Sequence, residues 1–462
     1  MTFQEYLTHI RDKKIAVIGV GVSNRPLVRL LCENGARVTV CDKKTEEKLG
    51  DYAQTLREMG VSLRLGETYL DHLDEPAFDY IFRTPGLRPD HPGILKGLEK
   101  GAKLTSEMEV FFSVCPCPII AVTGSEGKTT TTTLIAEMLR RAGKTVFVGG
   151  NIGTPLLDKT PEMKPCDVAC VELSSFQLMS MPMSAHTAVV KNVTPNHLDY
   201  HKGMEEYIDA KRNVFRWQNE NDTLVLNWDN EVTRAYAKEA KGKVVWFSIH
   251  DKVEEGVYLD GDTLVWAHDG KTVPVLEKDE IRIPGMHNVE NFATAIATVF
   301  GQVPMEEIAP FAKEFGGVEH RIEFVREFEG VRYFNDSIAT APTRVIAGLH
   351  AFDQKLILIC GGYDKKIPFD VLGPEFVAHV KGMVLCGVTA PKIRAAVENA
   401  PGYDPKELPI VEVDDFKEAV YVAKAMAHPG DVVSLSPACA AFDKFDNFEH
   451  RGRVYKEIVR NF

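Results

Sequence analysis

One stretch, Pro118 to Thr133 (PIIAVTGSEGKTTTTT), constrains the fold of this chain more than any other. The apolar run Ile119 to Val122 predicts a buried strand, and the glycines Gly124 and Gly127 predict a turn directly after it. A helix is expected to begin near Lys128. Such a loop directs backbone N–H groups and the positive end of the helix dipole at an anion, to which the lysine adds a mobile positive charge. The stretch therefore predicts a phosphate-binding loop.

The residues after the loop favour a nucleotide phosphate. Thr129 follows the lysine and is placed to offer its hydroxyl to a Mg²⁺ ion that bridges nucleotide phosphates. The general pattern has an earlier glycine at the position of Val122, so this loop is a tighter variant in which Gly124 is the first glycine. The alternative is an ordinary glycine turn of any α/β protein. Because the lysine and the hydroxyl are both present, the sequence favours phosphate binding.

The composition narrows the class of protein. A length of 462 residues predicts about three domains, and 44% hydrophobic with 26% charged residues is typical of soluble globular proteins. The first residues form no apolar signal segment, and no apolar run is long enough to cross a bilayer. The nine cysteines lack paired metal-ligand spacing, and the formal net charge of −12 argues against nucleic acid as a partner. We therefore expect a cytoplasmic protein that binds neither nucleic acid nor a membrane.

A second glycine turn lies near the start of the chain. Lys14 to Val20 predicts a buried strand, which runs into a turn that ends at Ser23. The next strand, Arg37 to Cys41, is followed by Asp42. This arrangement places a nucleotide-like ligand at the helix start and the acid near its polar ring. The third glycine of the dinucleotide fingerprint would fall at Asn24, which argues against ordinary dinucleotide binding, and a purely structural Rossmann-like unit stays an alternative.

Polar side chains follow two further predicted strands. Glu172 lies near the end of the apolar strand Asp167 to Leu173. A carboxylate at such a strand end, beside the glycine loop, is where a nucleotide-binding sheet holds Mg²⁺. His197 follows the strand Ala188 to Val193, at the same ligand-bearing edge. The alternative for Glu172 is a capping or surface glutamate, and the alternative for His197 is a polar histidine with satisfied hydrogen bonds. Burial of an acid in an apolar strand costs free energy, which favours a metal site at Glu172.

A lysine lies among aromatic residues on the next predicted helix. Met204 to Trp217 has a helical pattern that places Tyr207, Lys211 and Phe215 on one stripe. A lysine on a packed face is unusual unless it is paired or modified. The alternative is a lysine whose stem is buried and whose charged end reaches solvent at the domain surface.

The final third of the chain repeats the strand and helix alternation. Val331 to Asn335, Lys355 to Cys360 and Val432 to Leu435 predict strands, each followed by a polar turn. Strands that alternate with helices predict a mainly parallel sheet with helices on both faces. The polar turns are therefore expected at one shared edge of the sheet.

These motifs occur together and in an order that resembles the Mur ligases. The matching stretches are TGSEGKTTT, VELSSFQL, NVTPNHLDYH followed by YIDAKRNVF, GMHNVENFATAIA, EHRIEFV, FNDSIATAPT, GGYDKK and LSPACAAFDKFDNFEHRG. The central stretches are shared by all Mur ligases and by folylpolyglutamate synthase, whereas the last stretch and NDSIAT resemble the D-glutamate-adding branch. The resemblance extends from about Lys14 to Arg453, nearly the whole chain.

The resemblance implies an α/β fold of three domains. They would be an N-terminal Rossmann-like domain for the UDP substrate (residues 1–106), a central P-loop ATPase-like parallel sheet (107–318) and a C-terminal Rossmann-like domain for the amino acid (319–462). It also implies that ATP activates a carboxylate as an acyl phosphate, which the incoming amine attacks during peptidoglycan precursor synthesis. The implied substrates are UDP-N-acetylmuramoyl-L-alanine and D-glutamate, the implied cofactors are ATP and two Mg²⁺ ions, and the implied oligomeric state is a monomer.

The resemblance also implies roles for individual residues. For ATP they are Gly124, Ser125, Glu126, Gly127, Lys128, Thr129, Thr130, Asn291, Arg321 and Asp336. For the metal ions they are Thr129, Glu172, His197 and Lys211, with Lys211 carried as a carbamate that turns a buried cation into a carboxylate-like ligand. Lys128, His197 and Lys211 would be catalytic. For the UDP substrate they are Ser23, Asp42, Gly86, Asn151 and Ser174, and for D-glutamate they are Thr340, Lys365, Ala441 and Phe448.

Three positions depart from the family pattern. Glu126 puts a negative side chain on the phosphate loop where many relatives have asparagine, and it is expected to point outward. Ile338 replaces a common lysine. Ala441 falls where a serine often contacts the side-chain carboxylate of D-glutamate, so one hydrogen bond to that substrate is expected to be missing.

Two other functions stay open. One is another amino-acid ligase of the same superfamily, although the chain lacks the DNPR-like stretch of the diaminopimelate-adding relatives. The other is a nucleotide-binding switch or an NAD-binding protein, which the turn from Gly19 to Gly21 alone would permit. This second alternative leaves the polar turns at Lys365 and Ser436 without a role.

Overall fold

The computed structural model describes residues 1–21, 24–75, 77–198 and 200–462. The backbone divides into two compact units, one formed by Met1–Lys278 and Glu290–Ala309 and the other by Asp279–Val289 and Pro310–Phe462. Within the described residues, the first unit holds two β-sheets and the second unit holds one. In this part of the chain, none of the helices combines the length and the apolar character needed to cross a membrane.

The first sheet is parallel throughout, with the strand order β3-β2-β1-β4-β5. Its strands are β1 (Lys14–Ile18), β2 (Arg37–Asp42), β3 (Ser62–Leu65), β4 (Tyr80–Phe82) and β5 (Lys103–Thr105). The helices of this part are α1 (Phe3–Ile10), α2 (Asn24–Glu33), α3 (Glu46–Leu49), α4 (Asp51–Glu58), α5 (Pro92–Glu99) and α6 (Glu107–Val114). Alternate side chains of β1 enter different apolar clusters, so both faces of the sheet are covered.

The second sheet is mostly parallel, with the order β14-β13-β12-β11-β10-β9-β6-β8-β7. Its strands are β6 (Ile119–Thr123), β7 (Val146–Gly150), β8 (Val168–Glu172), β9 (Thr187–Val190), β10 (Thr223–Asn227), β11 (Lys243–Ser248), β12 (Gly256–Asp260), β13 (Thr263–His268) and β14 (Lys271–Glu277). Only the pairings of β12 with β13 and of β13 with β14 are antiparallel among these strands as described. The region after Asn221, in which the sequence shows no motif, thus extends the sheet away from the phosphate loop.

The helices that follow these strands are α7 (Lys128–Arg141), α8 (Ser175–Leu178), α9 (Met204–Arg212), α10 (Glu231–Tyr236), α11 (Met286–Val299) and α12 (Ile308–Glu314). Short 3₁₀ turns cover Leu157–Glu162, Ala237–Glu239, Lys278–Glu280 and Met305–Glu307. The predicted helix from Met204 to Trp217 ends earlier, at Arg212. Asn213 then donates its side-chain amide to the carbonyl of Leu178 at 2.8 Å, and the next residues form turns.

The third sheet lies in the second unit and has the order β15-β16-β20-β17-β18-β19. Its strands are β15 (Glu323–Phe328), β16 (Val331–Asn335), β17 (Leu356–Cys360), β18 (Val380–Cys386), β19 (Ile410–Val413) and β20 (Val432–Leu435), and its helices are α13 (Pro342–Leu349), α14 (Leu372–His379), α15 (Ala390–Glu398), α16 (Phe416–Met426) and α17 (Phe448–Arg460). Only the edge pairing of β15 with β16 is antiparallel within the described sheet. Leu356 and Leu358 pack with α13 to α15, whereas Ile357 and Ile359 pack with α16 and α17. The prediction of a mainly parallel sheet with helices on both faces is confirmed.

Candidate active site

The phosphate loop lies where the sequence predicts it, between a buried strand and a helix. Strand β6 ends at Thr123, and α7 begins at Lys128. Both loop glycines have positive φ angles, 151° at Gly124 and 76° at Gly127, a region that residues with a Cβ atom disfavour. A Cβ atom at either glycine would also lie 2.8 Å from an atom of the Lys191 side chain. The tight turn therefore requires glycine at both positions.

Residues after β9 hold the loop in place. Asn192 Oδ1 accepts hydrogen bonds from the backbone N–H groups of Ser125 (3.0 Å) and Glu126 (2.9 Å). The Ser125 hydroxyl donates to the Thr194 carbonyl at 2.9 Å and pairs with the Tyr207 hydroxyl at 2.8 Å. Because these loop groups are already satisfied, the donors that can face an anion are the first N–H groups of α7, which have no acceptor within the helix. Glu126 is exposed, as expected for this departure.

Two lysines converge on the carbonyl oxygen of Gly124. Lys128 Nζ donates to this oxygen at 3.0 Å and to the Ser125 carbonyl at 2.9 Å. Lys211 Nζ, on α9, donates to the same Gly124 oxygen at 2.8 Å and lies 4.6 Å from the centroid of the Tyr207 ring. Lys211 is 1% exposed, and this burial, together with the charge of Lys128, holds the pKa of its ammonium group well below the usual value. The buried face of α9 thus places the amine of Lys211 at the phosphate loop.

Glu172 forms a second cluster beside the loop. It ends β8, and the parallel pairing of β6 with β8 places it opposite Val122. The Thr129 hydroxyl donates to Glu172 Oε2, and Asn151 Nδ2 donates to Oε1, both at 2.7 Å. A hydroxyl and a carboxylate at the start of a phosphate-binding helix are oxygen ligands of the kind that bind Mg²⁺. Thr129 and Glu172 are therefore brought together, and Asn151, predicted for the UDP substrate, shares their hydrogen-bond network.

Three other predicted residues of this unit have distinct surroundings. His197 is exposed, has a φ angle of 53°, and its ring centroid lies 4.9 Å from that of Phe176. Asn291 is buried on α11, where its Oδ1 accepts from the Thr131 hydroxyl at 3.2 Å. Thr130 is buried in the first turn of α7. Asn291 is therefore tied to the phosphate-binding helix.

A buried lysine that the sequence analysis did not single out lies behind the loop. Lys191 is 1% exposed, and its Nζ lies 2.7 Å from Glu290 Oε1 and donates to the Thr294 hydroxyl at 3.1 Å. Burial lowers the pKa of its ammonium group, and the Glu290 carboxylate opposes that shift. The ion pair thus links the loop to α11. The sequence contains an indication of this ion pair. A lysine directly after the apolar run of β9 requires a partner when it is buried.

Two side chains, those of Asp42 and Asn24, bond to the backbone around the glycine turn of the first sheet. Asp42 is buried and accepts from the backbone N–H groups of Val20 and Lys44, both at 2.8 Å. Asn24 Nδ2 donates to the carbonyls of Ile18 (3.1 Å) and Gly19 (2.8 Å). The amide of Asn24 occupies the position of the third fingerprint glycine, which explains why the turn differs from a dinucleotide-binding one.

The other residues predicted for the UDP substrate are Ser23, Gly86 and Ser174. Ser23 lies outside the described residues. A Cβ atom at Gly86 would meet no atom within 4 Å, so the space beside it is open. Ser174 is the N-cap of α8, where its hydroxyl accepts from the Gln177 N–H at 3.2 Å while the Gln177 side chain accepts from the Ser174 N–H at 3.0 Å. This capping box gives Ser174 a local structural role.

In the second unit, two residues predicted for the nucleotide lie near each other. Asp336 is fully buried after β16, and burial raises the pKa of its carboxyl group to about 7. Its oxygens accept from the Ile322 N–H at 3.3 Å and from the Ser436 hydroxyl at 3.2 Å, and the charge of Arg321 partly opposes the upward shift. The polar turn at Ser436 thus reaches the same carboxylate at the predicted sheet edge.

The residues predicted for D-glutamate occupy loops of the third sheet. Lys365 Nζ lies 3.3 Å from both the carbonyl and the hydroxyl oxygen of Thr340, which brings these two predicted residues together. Ala441 is buried. Phe448 is the first residue of α17, and its carbonyl accepts from the Ser337 hydroxyl at 2.8 Å.

Arg451 joins the turn after β16 to the turn before Ala441, a role that no motif in the sequence indicated. It is 2% exposed, and its Nε and Nη2 atoms donate to the hydroxyl and carbonyl oxygens of Ser337, both at 3.0 Å. The same guanidinium donates to the carbonyls of Cys439 (3.0 Å) and Ala440 (3.2 Å). The arginine of the EHRG stretch therefore fixes the turn that precedes Ala441.

Comparison with known proteins gives matches over nearly the whole chain. Residues 13–106 match the model of the Mur ligase MurD-like N-terminal domain, residues 122–299 match the Mur ligase middle domain, and residues 320–439 match the Mur ligase glutamate ligase domain. The chain is 50% identical over 460 residues to the UDP-N-acetylmuramoylalanine–D-glutamate ligase of Clostridium novyi (strain NT), with 100% of this chain and 99% of the relative covered. It is 52% identical over 460 residues to the protein of the same name from Acetivibrio thermocellus, with 99% and 98% covered.

The fold is also similar to a solved structure. A UDP-N-acetylmuramoyl-L-alanyl-D-glutamate–2,6-diaminopimelate ligase aligns with a TM-score of 0.58 at 19% sequence identity, and the alignment covers 98% of this chain and 93% of that chain. At this level of identity the similarity concerns the fold and not the substrate.

Proposed function

The chain belongs to the Mur ligase family, and from this premise we propose that it joins D-glutamate to UDP-N-acetylmuramoyl-L-alanine in an amide bond driven by ATP. Relatives that are about half identical to it over their full length bear the name of this activity. The reaction belongs to peptidoglycan precursor synthesis. We expect the protein to act as a monomer in the cytoplasm, with the substrate, ATPase and amino-acid domains at residues 1–106, 107–318 and 319–462.

The reaction requires two bond exchanges. A carboxylate oxygen of UDP-N-acetylmuramoyl-L-alanine attacks the γ-phosphorus of ATP, and the bond to ADP breaks, which leaves an acyl phosphate. The amine nitrogen of D-glutamate then attacks the acyl carbon, the bond to phosphate breaks, and the nitrogen loses a proton. The first exchange brings two anions together, so it needs positive charge at the γ-phosphate. Lys128 and the first N–H groups of α7 supply that charge at the phosphate loop.

The residues of the Glu172 cluster fit a hard divalent cation. Thr129 and Glu172 would hold Mg²⁺, which would neutralise phosphate charge when bound. His197 stays a predicted further ligand. Asn291, Arg321 and Asp336 stay predictions for the nucleotide, since their present contacts are with the protein.

Lys211 suits conversion to a carbamate. Its lowered pKa favours the neutral amine, which is the form that attacks CO₂. The nitrogen bonds to the carbon of CO₂ and loses a proton, so the product is an N-carboxylate anion in place of an ammonium ion. Among the described residues, no carboxylate lies within ion-pair distance of Lys211. A carbamate would supply the oxygen ligands that an amine lacks.

The amino acid would be recognised by residues of the second unit. Lys365 and Thr340 offer an ammonium group and a hydroxyl to the carboxylates of D-glutamate, and both groups are already adjacent. Ala441 has no side-chain donor, so we expect weaker recognition of the D-glutamate side chain than a serine would give. Phe448 stays a prediction for D-glutamate, and Asp42, Gly86, Asn151 and Ser174 stay predictions for the UDP substrate.

One observation carries the proposal: Lys128 and the buried Lys211 both donate to the Gly124 carbonyl on a phosphate loop whose first helical residues reach Glu172. The test is phosphate release from ATP with UDP-N-acetylmuramoyl-L-alanine and a panel of amino acids. We expect turnover with D-glutamate that requires the UDP substrate. Equal turnover with L-glutamate, or turnover without the UDP substrate, would contradict the proposal. Preference for a different amino acid would instead support another ligase of the superfamily.

A further inference from the structure

We propose that the second unit binds one zinc ion between the C-terminal end of α13 and the side of α14, through His350, Glu375 and His379. This site is separate from the proposed reaction and does not depend on it. His350 directly follows α13, whereas Glu375 and His379 lie one turn apart on α14. One nitrogen from each histidine and one oxygen of the glutamate all lie within 4.8 Å of one another.

The distances fit a tetrahedral zinc ion. His350 Nε2 lies 2.8 Å from Glu375 Oε2, and His379 Nε2 lies 3.8 Å from the same oxygen. Zinc bonds of about 2.0–2.1 Å in a tetrahedron place the ligand atoms roughly 3.3 Å apart, a value between those two separations. The imidazole rings are tilted by 57°, with their centroids 4.9 Å apart, so both can turn a nitrogen towards one point. The ligands are partly exposed, which leaves a fourth position for water.

The electrostatic setting favours a cation. His350 and His379 lie at the C-terminal ends of α13 and α14, where the helix dipoles are negative and the last carbonyl groups lack partners within the helix. Glu375, in the first turn of α14, adds its own negative charge. Two imidazoles and one carboxylate select a transition metal such as zinc over Mg²⁺, which prefers oxygen ligands alone. The site would therefore not compete for the ion expected at the phosphate loop.

The ion would join two segments that carry predicted D-glutamate residues. Thr340 lies two residues before α13, and Lys365 lies in the loop that precedes α14. The Lys365–Thr340 contact links the segments that precede these two helices, and the zinc ion would link the C-terminal end of α13 to α14 itself. The consequence is a more rigid pair of segments.

The test is zinc binding by the full chain without an affinity tag, after removal of metals with a chelator. Titration with Zn²⁺ against a fluorescent zinc indicator gives affinity and stoichiometry, and Co²⁺ as a substitute reports tetrahedral coordination by its visible absorption. We expect one equivalent bound by the wild type, and at least about tenfold weaker binding in both His350→Gln and His379→Gln. Zn²⁺ should raise the melting temperature of the wild type but not of these variants.

The matched control is His268→Gln. His268 belongs to a second cluster among the described residues, with Glu255 and Asp269, and it too pairs with a glutamate, at 2.6 Å, but has no second imidazole. We expect this variant to bind zinc as the wild type does. The proposal is overturned if the wild type binds no zinc, if both cluster variants keep wild-type affinity while circular dichroism shows them folded, or if zinc binding is lost in His268→Gln.

Discussion

Two buried lysines contact the same phosphate loop, and their surroundings differ. Lys191 packs against both loop glycines and forms an ion pair with Glu290 at 2.7 Å. Lys211 donates to the carbonyl of Gly124 and faces an aromatic ring, without a carboxylate within ion-pair distance among the described residues. Burial lowers the pKa of both ammonium groups, and the pKa of Lys211 is lowered further from its usual value.

The difference separates a structural cation from a reactive amine. A buried charge that has a carboxylate partner can stay charged, and its partner then fixes the position of neighbouring elements. A buried amine without such a partner is favoured in its neutral form, which is nucleophilic. Burial alone therefore does not identify the functional lysine. The presence or absence of a carboxylate partner identifies it. Variants of Lys211 and Lys191 test this difference between a structural cation and a reactive amine.

The largest effect is expected for Lys211→Ala. Loss of the proposed carbamate should lower kcat by a factor on the order of 10³ or more, which corresponds to about 4 kcal/mol, because ligands for the cation at the γ-phosphate are lost. Acetate should restore part of the activity, since a small carboxylate fits the space left by the side chain. The measurement is the rate of ADP formation with and without acetate.

Lys191→Met is the matched control for this rescue, because it removes the other buried amine. Its activity should not respond to acetate. Rescue of both variants, or normal turnover by Lys211→Ala, would remove the proposed distinction.

The next largest effect concerns the ion pair. Lys191→Met leaves Glu290 partly buried without its partner and should lower the free energy of unfolding by about 3 kcal/mol, measured by urea denaturation. The double variant Lys191→Met/Glu290→Leu should recover part of this loss, because no charge stays unpaired. Losses that simply add in the double variant would show that the two side chains are not coupled.

A third effect concerns the pH dependence of stability. The folded-state pKa of Lys211 is lowered, so between that pKa and the usual value near 10.5 the unfolded chain binds more protons and folding becomes more favourable as pH rises. In buffer free of CO₂, the stability of the wild type should rise relative to that of Lys211→Met by up to about 1.4 kcal/mol per pH unit in this window. The measurement is urea unfolding of wild type and variant from neutral pH upward. A wild type that gains no stability relative to the variant as pH rises would contradict the lowered pKa.

The smallest effect is expected for Thr294→Val. The hydroxyl of Thr294 accepts a hydrogen bond from Lys191 at 3.1 Å, and its loss should cost about 1 kcal/mol of stability while the ion pair with Glu290 persists. Urea denaturation with unchanged kcat would match this expectation. A loss as large as that of Lys191→Met would instead assign the main role to the hydroxyl.

The local features of the phosphate site could be predicted from the sequence. The strand, the glycine turn and the helix depend on residues that are close together in the sequence. The start of β6 at Ile119, the turn at Gly124 and the start of α7 at Lys128 therefore follow from the pattern of residues. The aromatic stripe around Lys211 follows from helical spacing in the same way. The first prediction is confirmed, and the second is confirmed for Tyr207 and Lys211, whereas Phe215 lies beyond the end of α9 at Arg212.

The partners of buried groups could not be predicted, because they depend on which distant segments become neighbours. Glu290 follows Lys191 by 99 residues in the sequence. Their charges come together because α11 packs beside the phosphate loop. Arg451 likewise bonds to Ser337 across 114 residues. Sequence spacing carries no information about such pairs, although a lysine directly after an apolar strand indicates that a partner exists.

The most direct test of the acyl-phosphate reaction is oxygen tracing from the substrate. UDP-N-acetylmuramoyl-L-alanine labelled with ¹⁸O in its alanine carboxylate is turned over with ATP and D-glutamate, and the released phosphate is analysed by mass spectrometry. We expect one labelled oxygen in each phosphate, because the carboxylate oxygen that attacks the γ-phosphorus leaves with it. Label in AMP, or unlabelled phosphate accompanied by amide product, would contradict the proposed reaction at this loop.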